Sequence, residues 1–319
     1  MKKYSETIDP ILSQFKVTAA EYVEQIYKSA WDIDGQYILK RNSNSREIEK
    51  SVEVNCFLNL KGLPVACYYK AVDGSFYVES NGGFYSLMTK LPNEEINPYQ
   101  GDDAFAAKIG KQLGKAAADL HLALNEFKPV QKWDDVDLTA ELHDWMIPEF
   151  ACKRIVFDKG VLEMCLKFDS LYHSLPRQLI HRDMHISNLL FHKGCFCGYI
   201  DFDVGQKNIR LFDLCYLGCS LLVEHYKTEK DLSLWKIIFR SIIHEYDRIL
   251  PLTNEEKKAI PVLFVFIEVL FAAFFSKIGQ SAISQSCVDM TNWLYEHQNF
   301  ISQSFSNEDI KSVSFVKSN

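Results

Sequence analysis

The 319-residue chain is poor in the residues that break regular structure, with 14 glycines and 9 prolines. That excludes collagen-like and Pro/Gly-rich architectures. It has no CxxC pair and no Cys/His spacing of the zinc type. Its nine cysteines, at 56, 67, 152, 165, 195, 197, 215, 219 and 287, are odd in number and scattered. They are expected to be buried, reduced thiols of a cytoplasmic protein. Basic charge is not in excess: 35 Lys+Arg against 42 Asp+Glu leave a net −7. A nucleic-acid partner is therefore not expected. Residues 1–15 carry charge and Pro10 but no continuous apolar run, so no signal peptide is expected.

Long hydrophobic runs are scarce as well. The exception is Ile260–Lys277, which carries Pro261 and is interrupted by Glu268. It sits at the lower edge of a spanning length, and a carboxylate at mid-bilayer is costly. A helix buried in a large lobe is expected, with no membrane partner. What remains is a folding composition, 47% hydrophobic and 24% charged. It is ample for one large domain or two lobes. No internal repeat or low-complexity segment is present.

The first hundred residues read as β-rich with one helix. Gln36–Lys40 suits a strand, and Asn44–Leu60 a helix that Ser45 can cap. Pro64–Lys70, Ser75–Glu79 and Phe84–Thr89 suit strands, separated by turns at Asp73-Gly74 and Asn81-Gly82. A polar linker over 93–101 follows Leu91-Pro92. From Asp102 the apolar period is helical, and Gly110 and Gly114 would let another backbone approach closely. Helices are expected over 138–150, over 160–175, and from Asp213 to Phe305. The class is α+β: a small lobe over 1–91 and a larger, mostly helical lobe over 92–319.

The stretch that carries chemistry is His181-Arg182-Asp183-Met184-His185-Ile186-Ser187-Asn188, followed by Tyr199-Ile200-Asp201-Phe202-Asp203. Phosphoryl transfer needs positioning and charge neutralisation rather than covalent help. Asp183 can orient a substrate hydroxyl and take its proton. Asn188, five residues on, offers a neutral oxygen to a metal ion. Leu189–Phe191 and Tyr199-Ile200 suit two strands of a hairpin that returns the chain to the same place. Asp201 then stands at a strand end, where a carboxylate can join Mg²⁺ to ATP phosphates.

These residues resemble the catalytic and metal-binding loops of the protein-kinase-like superfamily. They most resemble the aminoglycoside phosphotransferase/choline kinase-like family, which includes homoserine-, choline/ethanolamine- and aminoglycoside-type kinases. The resemblance implies a bilobal protein-kinase-like fold, ATP and Mg²⁺ as cofactors, and a small hydroxylated molecule as phosphate acceptor. It implies Asp183 as catalytic residue and Asn188 and Asp201 as metal ligands. It also implies Asp213, in Leu211-Phe212-Asp213-Leu214, as a brace for the loop. Lys40, in Tyr37-Ile38-Leu39-Lys40, would pair with the nucleotide phosphates. Its helix partner would be Glu53, with Glu49 and Glu47 as alternatives. Ser29 is the candidate phosphate contact in a loop that lacks the Gly-rich pattern, with Gly35 serving the turn at Asp34-Gly35. Met88 falls where the family joins its lobes and holds adenine.

Some residues keep two readings. His181 either supports the loop or acts in catalysis; His185 and Asp203 either support it or face substrate. His121 is expected to be a packed histidine. Trp133-Asp134-Asp135-x-Asp137 is either a solvated loop or a patch facing a cationic substrate. Arg182 stands where the family carries glycine, and His-Arg-Asp is the protein-kinase form. Against a protein kinase, Asp201 is followed by Phe202-Asp203 rather than Phe-Gly, and too few residues separate Asp203 from Asp213 for an activation segment. A non-catalytic relative, such as a kinase-like spore-coat component, is the rival from another class. The full set Lys40, Asp183, Asn188 and Asp201 argues for retained catalysis. The oligomeric state and the identity of the acceptor are not legible.

Overall fold

The computed structural model describes residues 5–17 and 20–305. Helix α1 (Ser5–Gln14) precedes strands β1 (Val23–Tyr27), β2 (Ala30–Ile33) and β3 (Tyr37–Asn42). Helix α2 (Ser45–Leu60) and strands β4 (Val78–Ser80) and β5 (Gly83–Thr89) complete the small lobe. The five strands form one antiparallel sheet in the order β1-β2-β3-β5-β4. Asn81 and Gly82 join β4 to β5 with φ of 48° and 66°. Both positive angles match a two-residue type I′ hairpin, whose twist follows that of the strands.

Several expectations change here. The lobe has two helices, not one: Ile8, Ile11, Leu12 and Phe15 bury one stripe of α1 and its continuation against Trp31, Ile33, Leu39 and Leu87. Asn44, not Ser45, caps α2, its side chain accepting from the Arg46 N–H at 2.9 Å. Residues 64–70 make no strand; they hold single bridges, Val65 to Tyr199 and Tyr68 to Met88. Pro64 has no N–H to give a ladder, and the segment runs between two different sheets. The strand expected over 75–79 is only Val78–Ser80. Ser75 bonds instead to the Asp73 side chain and the Tyr77 carbonyl, a local alternative to pairing.

The large lobe opens with α3 (Asp103–Glu126), capped by the Asp102 side chain. α4 (Leu138–Glu141) runs through a π-helical turn (Leu142–Met146) into α5 (Ile147–Lys153), and α6 (Val161–Lys167) and α7 (Asp169–Tyr172) follow. Two small antiparallel pairs come next. β6 (Arg177–Ile180) pairs with β9 (Gln206–Ile209), and β7 (Leu189–His192) with β8 (Cys195–Tyr199). The chain closes with α8 (Leu211–Leu222), α9 (Glu229–Ile249), α10 (Asn254–Lys277), α11 (Ser281–Glu296) and α12 (Gln298–Gln303).

α3 lies along α9 so closely that a Cβ on Gly110 or Gly114 would strike the Ile238 or Ile242 carbonyl. α10 is long and apolar enough to cross a membrane by length and composition, yet 72% of its apolar window is buried in the fold. The large core includes Val54, Leu58 and Val65, so α2 packs into it. All nine cysteines are free; Cys56, Cys67, Cys152 and Cys195 are exposed, contrary to the expected burial.

Candidate active site

The loop after β6 is braced from below. Both Asp213 oxygens accept backbone N–H groups at 2.8 Å, Oδ2 from His181 and Oδ1 from Arg182. Asp213 is fully buried, and His121 Nε2 lies 3.1 Å from its Oδ2 while His121 Nδ1 meets the Tyr246 hydroxyl. His121 is thus a packed histidine, as expected, and Asp213 sits in the bracing position. His181 is buried, with Nε2 2.9 Å from the Ile200 carbonyl and its ring against Phe202. Its place is under the loop, not in the cleft.

Arg182 takes a left-handed φ of 72°. A glycine would hold that angle without strain, and a side chain holds it only where surroundings enforce it. Here the Arg182 amide is tied to Asp213 and the guanidinium lies 4.1 Å from the Phe212 ring. Burial pushes the guanidinium below its usual range, against the opposing pull of Glu141 and Asp213.

The brace presents Asp183. Its Oδ1 accepts from the Tyr216 hydroxyl at 3.0 Å and its Oδ2 from Asn188 Nδ2 at 3.1 Å. His185 Nε2 stands 3.6 Å from the same Oδ2. Burial alone would push this carboxyl up, but the His185 and Tyr216 partners outweigh it and hold it below the usual range. Asn188 Nδ2 also donates to the Asp183 carbonyl at 2.9 Å. The amide nitrogen is spent on the loop, which turns the amide oxygen away from it.

The β7–β8 hairpin returns the chain to Asp201, whose φ is 66°. Lys40, on β3, lies 2.7 Å from Asp201 Oδ1 and 2.7 Å from Asp203 Oδ2. Burial works against the ammonium, but Asp203 and Asp201 outweigh it and raise it above the usual lysine range. Asp203 is held further by Asn42 Nδ2 at 3.0 Å and Ser51 Oγ at 2.8 Å. So Asp203 faces the small lobe and supports Lys40.

Glu53 is a correction. Its carboxylate accepts from the backbone N–H groups of Val130 and Gln131, far along the chain from Lys40. Neither Glu47 nor Glu49 takes its place: among the described residues, the ion pairs of Lys40 are with Asp201 and Asp203. The physical reason is helix phase and, for Glu47, position along the helix. The buried residues of α2 include Ile48, Ser51, Val52 and Asn55; Glu49 and Glu53 fall on other sides, and Glu47 stands a full turn before Ser51, toward the helix start. Ser29 is in the β1–β2 turn; its carbonyl accepts from the Arg41 N–H at 2.8 Å, beside Ala30, which lies opposite Lys40 in the sheet. Met88 lies on β5 opposite Ile38, half-buried, near the crossing between lobes.

The acidic cluster at 133–137 is structural. Trp133 is buried, Asp134 pairs with Lys50 at 3.3 Å, and Asp135 pairs with Arg177 at 2.7 Å. Asp137 caps α4 through Thr139 and Ala140. Asp134 and Asp135 stay largely exposed, as expected of a solvated loop, and both are taken up by Lys50 and Arg177. Tyr216, Asn42 and Ser51 were not anticipated. Two of them carried a signal: Tyr216 is three residues after Asp213 on one helix face, and Asn42 two after Lys40 on one strand face.

The donor set fits Mg²⁺ bound together with a phosphate ligand. It offers the Asp201 carboxylate and the Asn188 amide oxygen, and no group of three or more His, Cys, Asp or Glu forms a metal cage among the described residues. Mg²⁺ takes one or two protein oxygens and fills its shell with phosphate and water.

Comparison with known proteins agrees with this arrangement. The profile of a phosphotransferase enzyme family matches residues 24–231. A homoserine kinase of Phenylobacterium zucineum is 26% identical over 159 residues, 48% of this chain and 46% of that protein. A homoserine kinase of Neisseria meningitidis serogroup B is 24% identical over 237 residues, 71% of each. The chain thus spans about half the length of some curated relatives and about seven tenths of others. An aminoglycoside phosphotransferase from Alicyclobacillus acidocaldarius superposes with a TM-score of 0.67 at 13% identity, over 92% of this chain and 94% of that one. A microcompartment-associated aminopropanol kinase does so with a TM-score of 0.64 at 15% identity, over 91% and 99%. The fold is the bilobal kinase-like one, and with the family profile matching 24–231 the chain belongs to the phosphotransferase enzyme family, of aminoglycoside phosphotransferase type.

Proposed function

We propose that the protein is a small-molecule kinase that transfers the γ-phosphoryl group of ATP to a hydroxyl of a hydroxy amino acid, an amino alcohol or an aminoglycoside. The observation that carries this is the meeting of Lys40 from β3, Asp183 and Asn188 from the loop after β6, and Asp201 from just beyond the end of β8, three separate segments at one cleft. In this reading residues 1–91 hold the nucleotide and residues 92–319 supply the acceptor site. Lys40 binds the phosphates as a compact charge. Asn188 and Asp201 hold Mg²⁺, which when bound offsets the negative charge of the phosphates. Asp183, fixed by Tyr216 and Asn188, accepts a hydrogen bond from the acceptor hydroxyl. That oxygen bonds to the γ-phosphorus, the bond from phosphorus to the β–γ bridging oxygen breaks, ADP leaves, and the proton passes to Asp183. A carboxyl held below its usual range is a weak base, which suits a loose transition state where the proton leaves late. Ser29 and Met88 lie on the nucleotide side, at the hairpin tip and the lobe crossing. The homoserine kinase relatives favour a hydroxy amino acid first.

The test is ADP production from Mg·ATP over homoserine, amino alcohols, aminoglycosides and sugars, with Asp183→Asn as control. Acceptor-dependent ADP above the control supports the reading. No acceptor-dependent ADP from any class overturns it.

A further inference from the structure

Lys40 needs a carboxylate that stays with it. Its side chain is 20% exposed and touches two carboxylates. Asp201 is the one proposed to serve the metal, and a carboxylate oxygen turned to a cation is weakened as a partner for an ammonium. The α2 glutamates do not reach Lys40, and Glu53 is committed to the 130–131 backbone. Asp203 is placed to stay. Its Oδ2 meets Lys40 at 2.7 Å and Asn42 Nδ2 at 3.0 Å, and its Oδ1 meets Ser51 Oγ at 2.8 Å. Ser51 and Asn42 are both buried. So one carboxylate from the large lobe takes three donors from the small one, two from β3 and one from α2.

We infer that Asp203 is the positioning residue for Lys40, standing in for a helix glutamate, and that it ties α2 and β3 to the large lobe through Ser51 and Asn42. This rests on the kinase reading of the cleft. Its consequence is a division of labour between two carboxylates two residues apart. Asp201 is left for the cation, and Asp203 keeps Lys40 aimed. Coupling between α2 and the cleft then runs through a neutral hydroxyl, and the helix carries no charge at that contact.

The experiment exchanges the charge across one hydrogen bond. Asn42 and Asp203 have side chains of nearly equal shape, and Asn42 shares a strand face with Lys40. Asp203→Asn alone and Asn42→Asp/Asp203→Asn together are compared with the wild type by Mg·ATP titration calorimetry and by KM for ATP against kcat. Loss of a charged hydrogen-bond partner corresponds to about tenfold to a hundredfold weaker ATP binding in the single variant. The double variant, which restores a carboxylate beside Lys40, should regain at least about tenfold of that. Hydrogen exchange of the unliganded protein should quicken in α2 of Asp203→Asn while α9 is unchanged. If the single variant does not fold by circular dichroism, Ser51→Ala is titrated instead and should weaken ATP binding by severalfold. Unchanged ATP affinity in Asp203→Asn, or no recovery in a folded double variant, overturns the inference and leaves the kinase reading intact. Wild-type protein that binds no Mg·ATP overturns both, and that result is read before any variant is made.

Discussion

Glu268 sits in the middle of α10, 5% exposed, with its carboxyl raised to about 8 by burial and only partly relieved by a hydrogen bond with Cys287. The unfolded chain ionises the same group near its ordinary value of 4.5. The sign follows from that order. Below 4.5 both states hold the proton and Glu268 is neutral to stability. As pH rises toward 8 the unfolded state gives up its proton and the folded state does not, so stability falls. Each pH step in that window costs about 1.4 kcal/mol, and from pH 5 to pH 8 the loss is on the order of 3 kcal/mol. Glu268→Gln removes the proton linkage. Its buried amide brings a cost of its own, but that cost does not depend on pH. Urea unfolding of both proteins at pH 5, 6, 7 and 8 separates the two effects. The stability difference should move in favour of Glu268→Gln as pH rises, by roughly 3 kcal/mol across the series. Parallel stability profiles would refute the buried, proton-retaining placement of Glu268, because every other titrating group is shared and cancels.

Asp183→Asn keeps the Tyr216 and Asn188 neighbours but loses the proton acceptor. Turnover should fall by about 10²–10⁴-fold, while calorimetry shows nucleotide binding retained. Gly114→Ala gains helix propensity, yet its Cβ meets the Ile242 backbone, which cannot give way. A net loss of about 1–3 kcal/mol is expected as a lower urea midpoint. Glu256 forms two bonds to buried Arg210, at 2.7 and 2.8 Å, and also takes the Thr253 amide as the capping-box partner of α10. Glu256→Gln leaves the guanidinium without its counter-charge and should cost about 3–5 kcal/mol by denaturant unfolding; a change below 1 kcal/mol would show that the pair is not closed in solution.

The geometry of the loop over 181–188 was legible because its contacts are local in sequence. Asp183 and Asn188 are five residues apart on one turn, and their bond forms within that turn. Asp201 follows from a hairpin whose two strands are short and β-prone, and that hairpin closes through Lys193 and Gly194 at φ of 51° and 69°. The long amphipathic helices were legible for a similar reason. α3 repeats its buried positions every three or four residues, and Gly110 and Gly114 fall on that stripe, so their close approach to another helix could be anticipated.

What failed to show was set by distant parts of the chain. Glu53 looked like a partner for Lys40 because it was an acid on the next helix. Which face of α2 meets the cleft depends on how Val54 and Leu58 pack into the large lobe, and that packing turns Ser51 inward. Once Ser51 occupies the contact, a charge for Lys40 must come from elsewhere, and Asp203 is 163 residues further along. The same logic holds for Arg182. Its departure from the family's glycine read as a possible change of class. The structure shows a left-handed residue whose amide is tied by Asp213 and whose side chain rests on Phe212. The loop is thus shaped by the residues beneath it, and a side chain other than glycine is tolerated at 182 because that support is already in place.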